Sequence, residues 1–214
     1  IGFAMVLDTL DGRIARLTGA TSEFGEEFDS LADVISFGLA PAILVFAWGL
    51  QPLGRIGWAA GFIYMTATAM RLARFNIQGK TIDKRYFVGL PSPPAAGVLA
   101  ATVFAYPYGL AGWTESVLAL FLVLVPAILM VSRIRFLSIS TIIPEGRRSS
   151  LSLLVIAGVI AAIATQPQVV LLLMAYTYLI SGPTVATCGR LKRWQANRRG
   201  AEQDYKLDKK QRSA

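Results

Sequence analysis

Four carboxylates, Asp8, Asp11, Asp29 and Asp33, carry the spacing that could do chemistry. Asp8 and Asp11 are three apart and Asp29 and Asp33 four apart, so on helices each pair shares a face. Glu26 and Glu27 lie in the same short region. The polar connector from Thr18 to Glu23 is short enough to fold the two helices into an antiparallel hairpin, which brings the acidic faces together. Acids converging in a low-dielectric site need counter-charge. Oxygen-only donors suit Mg²⁺ or Mn²⁺, and a pair of such ions is the usual clamp for displacement at phosphorus. A salt-bridge network with Arg13 and Arg16 is the plainer alternative, but it leaves unexplained the glycines set between the acids. The chain has no histidine, which excludes histidine-based triads and the common zinc sites.

Gly12 follows Asp11 directly, and Gly25 precedes Asp29 by one turn on the same face. Missing side chains let a flat or phosphate-bearing ligand approach the backbone. Ala15 keeps that surface low, and Arg16 offers a fixed cation to a phosphate. Any one of these small residues taken alone is better explained by helix packing. Together with the acids they outline a groove for a nucleotide diphosphate.

The elements that must hold these residues are apolar. Of the 214 residues 54% are hydrophobic and 16% charged, with a mean hydropathy of +0.53. A soluble domain carries about 25% charged residues, so a bilayer is the expected solvent. Seven apolar stretches are read at 1–18, 27–50, 55–75, 92–111, 115–132, 150–165 and 168–187. Most approach the ~20 residues a helix needs to cross hydrocarbon, and each must be helical if it spans. The expected fold is therefore all-α, a polytopic membrane bundle with seven transmembrane helices. Lys and Arg gather in alternate connections, while those near 51–54, 106–114 and 166–168 have none, with Arg55 just beyond the first. The positive-inside rule then makes the basic loops cytoplasmic and puts the acids at the cytoplasmic side. The first stretch starts on the far side without a charged flank, so a preceding helix is expected, eight in all.

Of the net charge of +8, residues 188–214 contribute 9 basic against 3 acidic side chains. That basic tail follows an apolar segment, which reads as a juxtamembrane contact with anionic lipid rather than with nucleic acid. Two units are expected: 1–187 in the membrane and 188–214 as a cytoplasmic tail. The single Cys188 allows no internal disulfide.

The run Asp8-Thr-Leu-Asp11-Gly12-Arg-Ile-Ala15-Arg16, eight residues, then Gly25-Glu-Glu-Phe-Asp29-Ser-Leu-Ala-Asp33 resembles the signature of the CDP-alcohol phosphotransferase family. All eight fixed positions and every spacing agree. The segments Arg71-Leu-Ala-Arg74-Phe-Asn76, Phe87 to Gly97 and Val131 to Phe136 are similar to its phosphatidylserine synthase branch. The resemblance implies transfer of a phosphatidyl group from CDP-diacylglycerol to L-serine, with release of CMP. It implies metal binding by Asp8, Asp11 and Asp29, with Asp33 near the metals and acting as general base. It also implies a nucleotide against Gly12, Ala15 and Gly25, with Arg16 near phosphate and Asp8 toward the cytidine, and a homodimer.

For the serine carboxylate the cationic candidates are Arg74, Arg133 and Arg135, with Asn76 and Ser92 for its ammonium or hydroxyl. A sister enzyme acting on glycerol 3-phosphate or an inositol compound is the nearest rival. A cation transporter is the rival from another class. It predicts acids spread across the membrane depth, whereas these cluster at one end of a hairpin.

Overall fold

The structure is a computed structural model that describes residues 1–8, 10, 22–78, 86–110, 112–137 and 150–185. Helix α1 covers residues 2–8, and α2 runs Glu23–Asp33. Ser22 starts α2 in an extended conformation, and its hydroxyl accepts the Gly25 N–H at 3.0 Å. That satisfies one of the donors a helix N-terminus leaves without partners.

The chain continues without a break through a π-helical turn (Val34–Leu39), α3 (Ala40–Val45), a second π-helical turn (Phe46–Leu50) and a 3₁₀ turn (Gln51–Leu53). Each wide turn sits just ahead of a proline, Pro41 and Pro52. A proline ring clashes with the carbonyl four residues back and has no N–H to give it. Widening the ladder relieves that clash: Ala40 N–H reaches Ile35 O, and Gln51 N–H reaches Phe46 O. Trp48 lies four before Pro52, and its carbonyl instead accepts Leu110 N–H at 2.8 Å. Trp48 Nε1 in turn donates to Tyr106 O at 2.6 Å. The broken ladder thus becomes an attachment point for the chain end after the fifth helix.

Helix α4 (Arg55–Gln78) packs most heavily on α6 (Trp113–Val131), with α5 (Ser92–Ala105) beside them. Gly38 lets the first π-helical turn approach α4, where a Cβ would sit 3.2 Å from Thr68 Cβ. Phe37, Val45, Tyr64, Leu99, Val123 and Met130 are fully buried at the centre. Two short strands, β1 (Tyr86–Val88) and β2 (Arg135–Leu137), pair antiparallel with Phe87 opposite Phe136. Among the described residues, this six-residue ribbon is the departure from an otherwise helical bundle. It is extended by Gly89 N–H to Ile134 O at 2.8 Å and Leu90 N–H to Leu129 O at 3.0 Å. Gly89 has φ +84°, and a Cβ there would collide with Met130 O, so only glycine fits.

Helices α7 (Ser150–Thr165) and α8 (Pro167–Val185) complete the described chain. Glu27–Leu53, Trp113–Val131 and Pro167–Val185 are long and apolar enough to cross a membrane, and Ser92–Ala105 is apolar but shorter. Trp58, Phe62, Leu118, Phe121, Leu154 and Ile160 are exposed on the outside, as side chains facing lipid are. Among the described residues, the apolar stretches read from sequence coincide with these helices to within a few residues, except that 92–111 overshoots α5, which ends at Ala105. The first stretch is described only through residue 8 and at 10, and the tail at 188–214 lies outside the described residues.

Candidate active site

The acid-bearing end of α2 meets α1 at Asp8 and α4 at Asn76. Met5 of α1 touches α5, its Cε 3.4 Å from where a Cβ on Gly97 would stand. That contact sets Asp8, one turn on, beside α2. The Asp33 carboxyl makes a side-chain hydrogen bond with Asp8 and lies within the fields of Asp29 and Arg71. Asp29 is exposed, whereas Asp8 and Asp33 are half-buried. Three of the four acids singled out in the sequence are therefore neighbours. Asp11 lies outside the described residues, as do Gly12, Ala15 and Arg16.

Two carboxyl groups in hydrogen-bond contact require either a proton between them or a cation. A divalent ion fits that requirement, and the donors are all oxygen, as Mg²⁺ and Mn²⁺ prefer. Among the described residues, no three acidic side chains are gathered closely enough to hold an ion by themselves. Gly25 is exposed in the first turn of α2, and a Cβ there would meet Ser22 Oγ at 3.1 Å.

Across from the acids, Arg71 is nearly fully buried and donates from Nη1 to the buried Ser92 Oγ at 2.9 Å. Its guanidinium also sits 5.3 Å from the centre of the Phe75 ring. Asn76 Nδ2 donates to Ser30 Oγ at 2.8 Å, fastening α4 to α2 between Asp29 and Asp33. Arg74 closes the C-terminus of α6, donating to Val131 O at 3.0 Å and Ser132 O at 3.4 Å. Those carbonyls have no partner within their own helix, and a nearby cation is what the C-terminal end of a helix favours. Arg133 is exposed after α6, and Arg135 contributes backbone to β2.

The sequence reading offered Ser92 and Asn76 for the acceptor but quoted Arg71 only as part of a branch-like segment, taking Arg74, Arg133 and Arg135 as the cationic candidates. The signal that separates Arg71 from Arg74 is its register on α4. Tyr64, Thr68 and Arg71 are all buried and recur at the i, i+4, i+7 spacing of one inward face. An apolar groove of about 480 Å³ between α4 and α6, lined by Phe62, Ile63, Met70, Ala127, Ile128 and Val131, has almost no polar surface and carries no chemistry itself.

Residues 1–130 match the sequence profile of the family described as CDP-alcohol phosphatidyltransferase. Among curated proteins, the CDP-diacylglycerol–serine O-phosphatidyltransferase of Helicobacter pylori is 46% identical over 136 residues, 62% of this chain and 56% of that protein. The Mycobacterium leprae protein of the same name is 33% identical over 189 residues, 86% of this chain and 63% of its own length. The Saccharomyces cerevisiae protein so named is 39% identical over 113 residues, 50% of this chain and 40% of that protein. The chain thus spans little more than half the length of the bacterial relatives it matches. With the intact acid signature, a profile match over more than half of the chain, and Asp8 and Asp29 both acting on Asp33, the chain belongs to the CDP-alcohol phosphatidyltransferase family.

Proposed function

We propose that the chain transfers the phosphatidyl group of CDP-diacylglycerol to the hydroxyl of L-serine at the cytoplasmic face of a membrane. The observation that carries this is the meeting of Asp33 and Asp8 beside a buried arginine that is bonded to a serine hydroxyl. The names of the relatives support serine as the acceptor and CDP-diacylglycerol as the donor.

In this reading Asp33 takes the proton of the seryl hydroxyl. The hydroxyl oxygen bonds to the phosphorus that carries diacylglycerol, and the bond from that phosphorus to the bridging oxygen breaks, freeing CMP. Asp8, Asp11, Asp29 and Asp33 would hold a pair of Mg²⁺ or Mn²⁺ ions, which would supply the positive charge that the departing CMP phosphate needs. Gly12, Ala15 and Gly25 would leave room for the nucleotide, and Arg16 would supply a cation to its phosphates. No protein nucleophile is needed, because a single displacement joins acceptor and donor directly. The same reading takes the chain across the bilayer seven times as part of a homodimer, with the basic residues of 188–214 on the cytoplasmic lipid surface.

The test is CMP release from CDP-diacylglycerol in detergent micelles, with and without L-serine, divalent metal and EDTA. Release that needs both serine and metal is expected, with glycerol 3-phosphate and inositol inactive. Release with either of those acceptors but not with serine moves the assignment to a sister enzyme, and release indifferent to EDTA removes the metal pair.

A further inference from the structure

The segment that carries the acids is loosely built into the bundle. Among the described side chains of α2, only Ser30 and Asp33 are half-buried, and the others are exposed. Directly after Asp33 the ladder widens into the π-helical turn Val34–Leu39. Wide turns are where helices bend, so α2 does not inherit its direction rigidly from the packed chain that follows. Packing resumes at Phe37 and Gly38, both buried, where Gly38 lies against Thr68 of α4. On the other side of Asp33, Asn76 Nδ2 donates to Ser30 Oγ at 2.8 Å. Helix α4 therefore touches the acid-bearing chain at two points, Thr68 against Gly38 and Asn76 against Ser30, with Asp33 between them. The α-helix Arg55–Gln78 runs through both points without a break.

Ser30 directly follows Asp29 and stands three before Asp33. In a helix its direction lies about 100° from that of Asp29 and about 60° from that of Asp33. Holding Ser30 therefore fixes the rotation of α2, and with it the aim of both carboxylates. We propose that Asn76 is a positioning residue: through its bond to Ser30 it sets the rotation of α2 that aims Asp29 and Asp33 at the reacting groups, and it does not touch the acceptor. The inference rests on the roles proposed above for those two acids. It departs from the sequence reading, which offered Asn76 to the ammonium or hydroxyl of serine. The amide is already engaged, and its partner stands on the helix that carries the acids. An exposed hydrogen bond adds little to stability, because water replaces either partner at small cost. Direction is a different matter, since a displacement of about 1 Å at a reacting group can cost about 10²-fold in rate. A bond of this kind can therefore matter little to the fold and much to the turnover.

The test uses the full chain in nanodiscs and measures CMP release, both KM values and thermal melting for Asn76→Ala, Ser30→Ala and the double variant. Each single variant is expected to lower kcat by about 10- to 100-fold, with both KM values within about twofold of wild type. The double variant falls no further than the worse single one, because both changes remove the same bond. Ser30→Thr, which restores the hydroxyl, recovers most of that loss. Melting temperatures stay at the wild-type value. A rise of about tenfold in serine KM in Asn76→Ala that Ser30→Ala does not share overturns the proposal and returns Asn76 to the acceptor. Unchanged kcat in either single variant, losses that multiply in the double one, or losses that track a lower melting temperature overturn it too. If the wild type itself releases no CMP when serine and metal are present, the reading of the reaction fails, and this inference falls with it.

Discussion

The two sides of the site are held in different ways. The acidic segment Glu23–Asp33 is mostly exposed, with Phe24, Phe28 and Leu31 uncovered and Asp29 open to its surroundings. The facing side is locked. Arg71 and Ser92 are buried and bonded to each other, and Leu90, Ala95 and Ala96 around the start of α5 are fully enclosed. Like charges gathered at an open helix end depend on a ligand or ion to balance them, whereas a buried guanidinium is balanced by the protein itself. Chemistry and stability should therefore separate when the two sides are mutated in turn.

The largest effect is expected on the acidic side. Asp33→Asn keeps the volume and removes the group that would take the proton, so CMP release should fall by about 10³-fold or more. The melting temperature should hold or rise, because one of several crowded like charges is gone. Residual activity within tenfold of wild type would take the role of base away from Asp33 and erase the contrast between the sides.

The next effect belongs to the locked side and should strike both properties. Arg71→Met deprives Asp33 and Ser92 of their cation in a region closed to water, a loss of about 3 kcal/mol by comparison with other broken buried pairs. Thermal melting of the purified protein would read this as a clear drop, alongside reduced CMP release. Combining it with Asp33→Asn should return part of the lost stability, since the two side chains act on each other. A purely additive double variant would mean that Arg71 supports the fold through packing rather than through charge.

How much of this could be read beforehand differs between the same two sides. The acid cluster was legible because helix periodicity alone puts Asp29 and Asp33 on one face, and the signature supplies Asp8 at the right distance. Most of the described helix ends were legible from alternating apolar runs and basic loops, although the run 92–111 overshoots the end of α5 at Ala105. Arg71 was not, because a basic residue near a helix end reads first as an orientation anchor, and only its register with buried Tyr64 and Thr68 turns it inward. The β1–β2 ribbon was hidden for another reason: Tyr86–Val88 and Arg135–Leu137 are three residues each and pair across two intervening helices. Local pattern carries no such long-range information. The π-helical turns were hidden too, since proline inside a membrane helix predicts a disturbed ladder without saying how it is repaired.

The smallest effect sharpens the division within the basic side. Arg133, singled out from sequence as a partner for the serine carboxylate, is exposed in the turn between α6 and β2, whereas Arg71 is enclosed. An exposed cation meets its partner in high dielectric and gains little, so Arg133→Ala should change serine KM by no more than about twofold. Serine titrations of CMP release at low and moderate salt would measure it, and any small effect should shrink as salt rises. A tenfold increase in KM, undiminished by salt, would instead place the acceptor carboxylate on the loop at Arg133. The buried arginine would then serve only as counter-charge to Asp33, and the locked side of the site would be structural rather than selective.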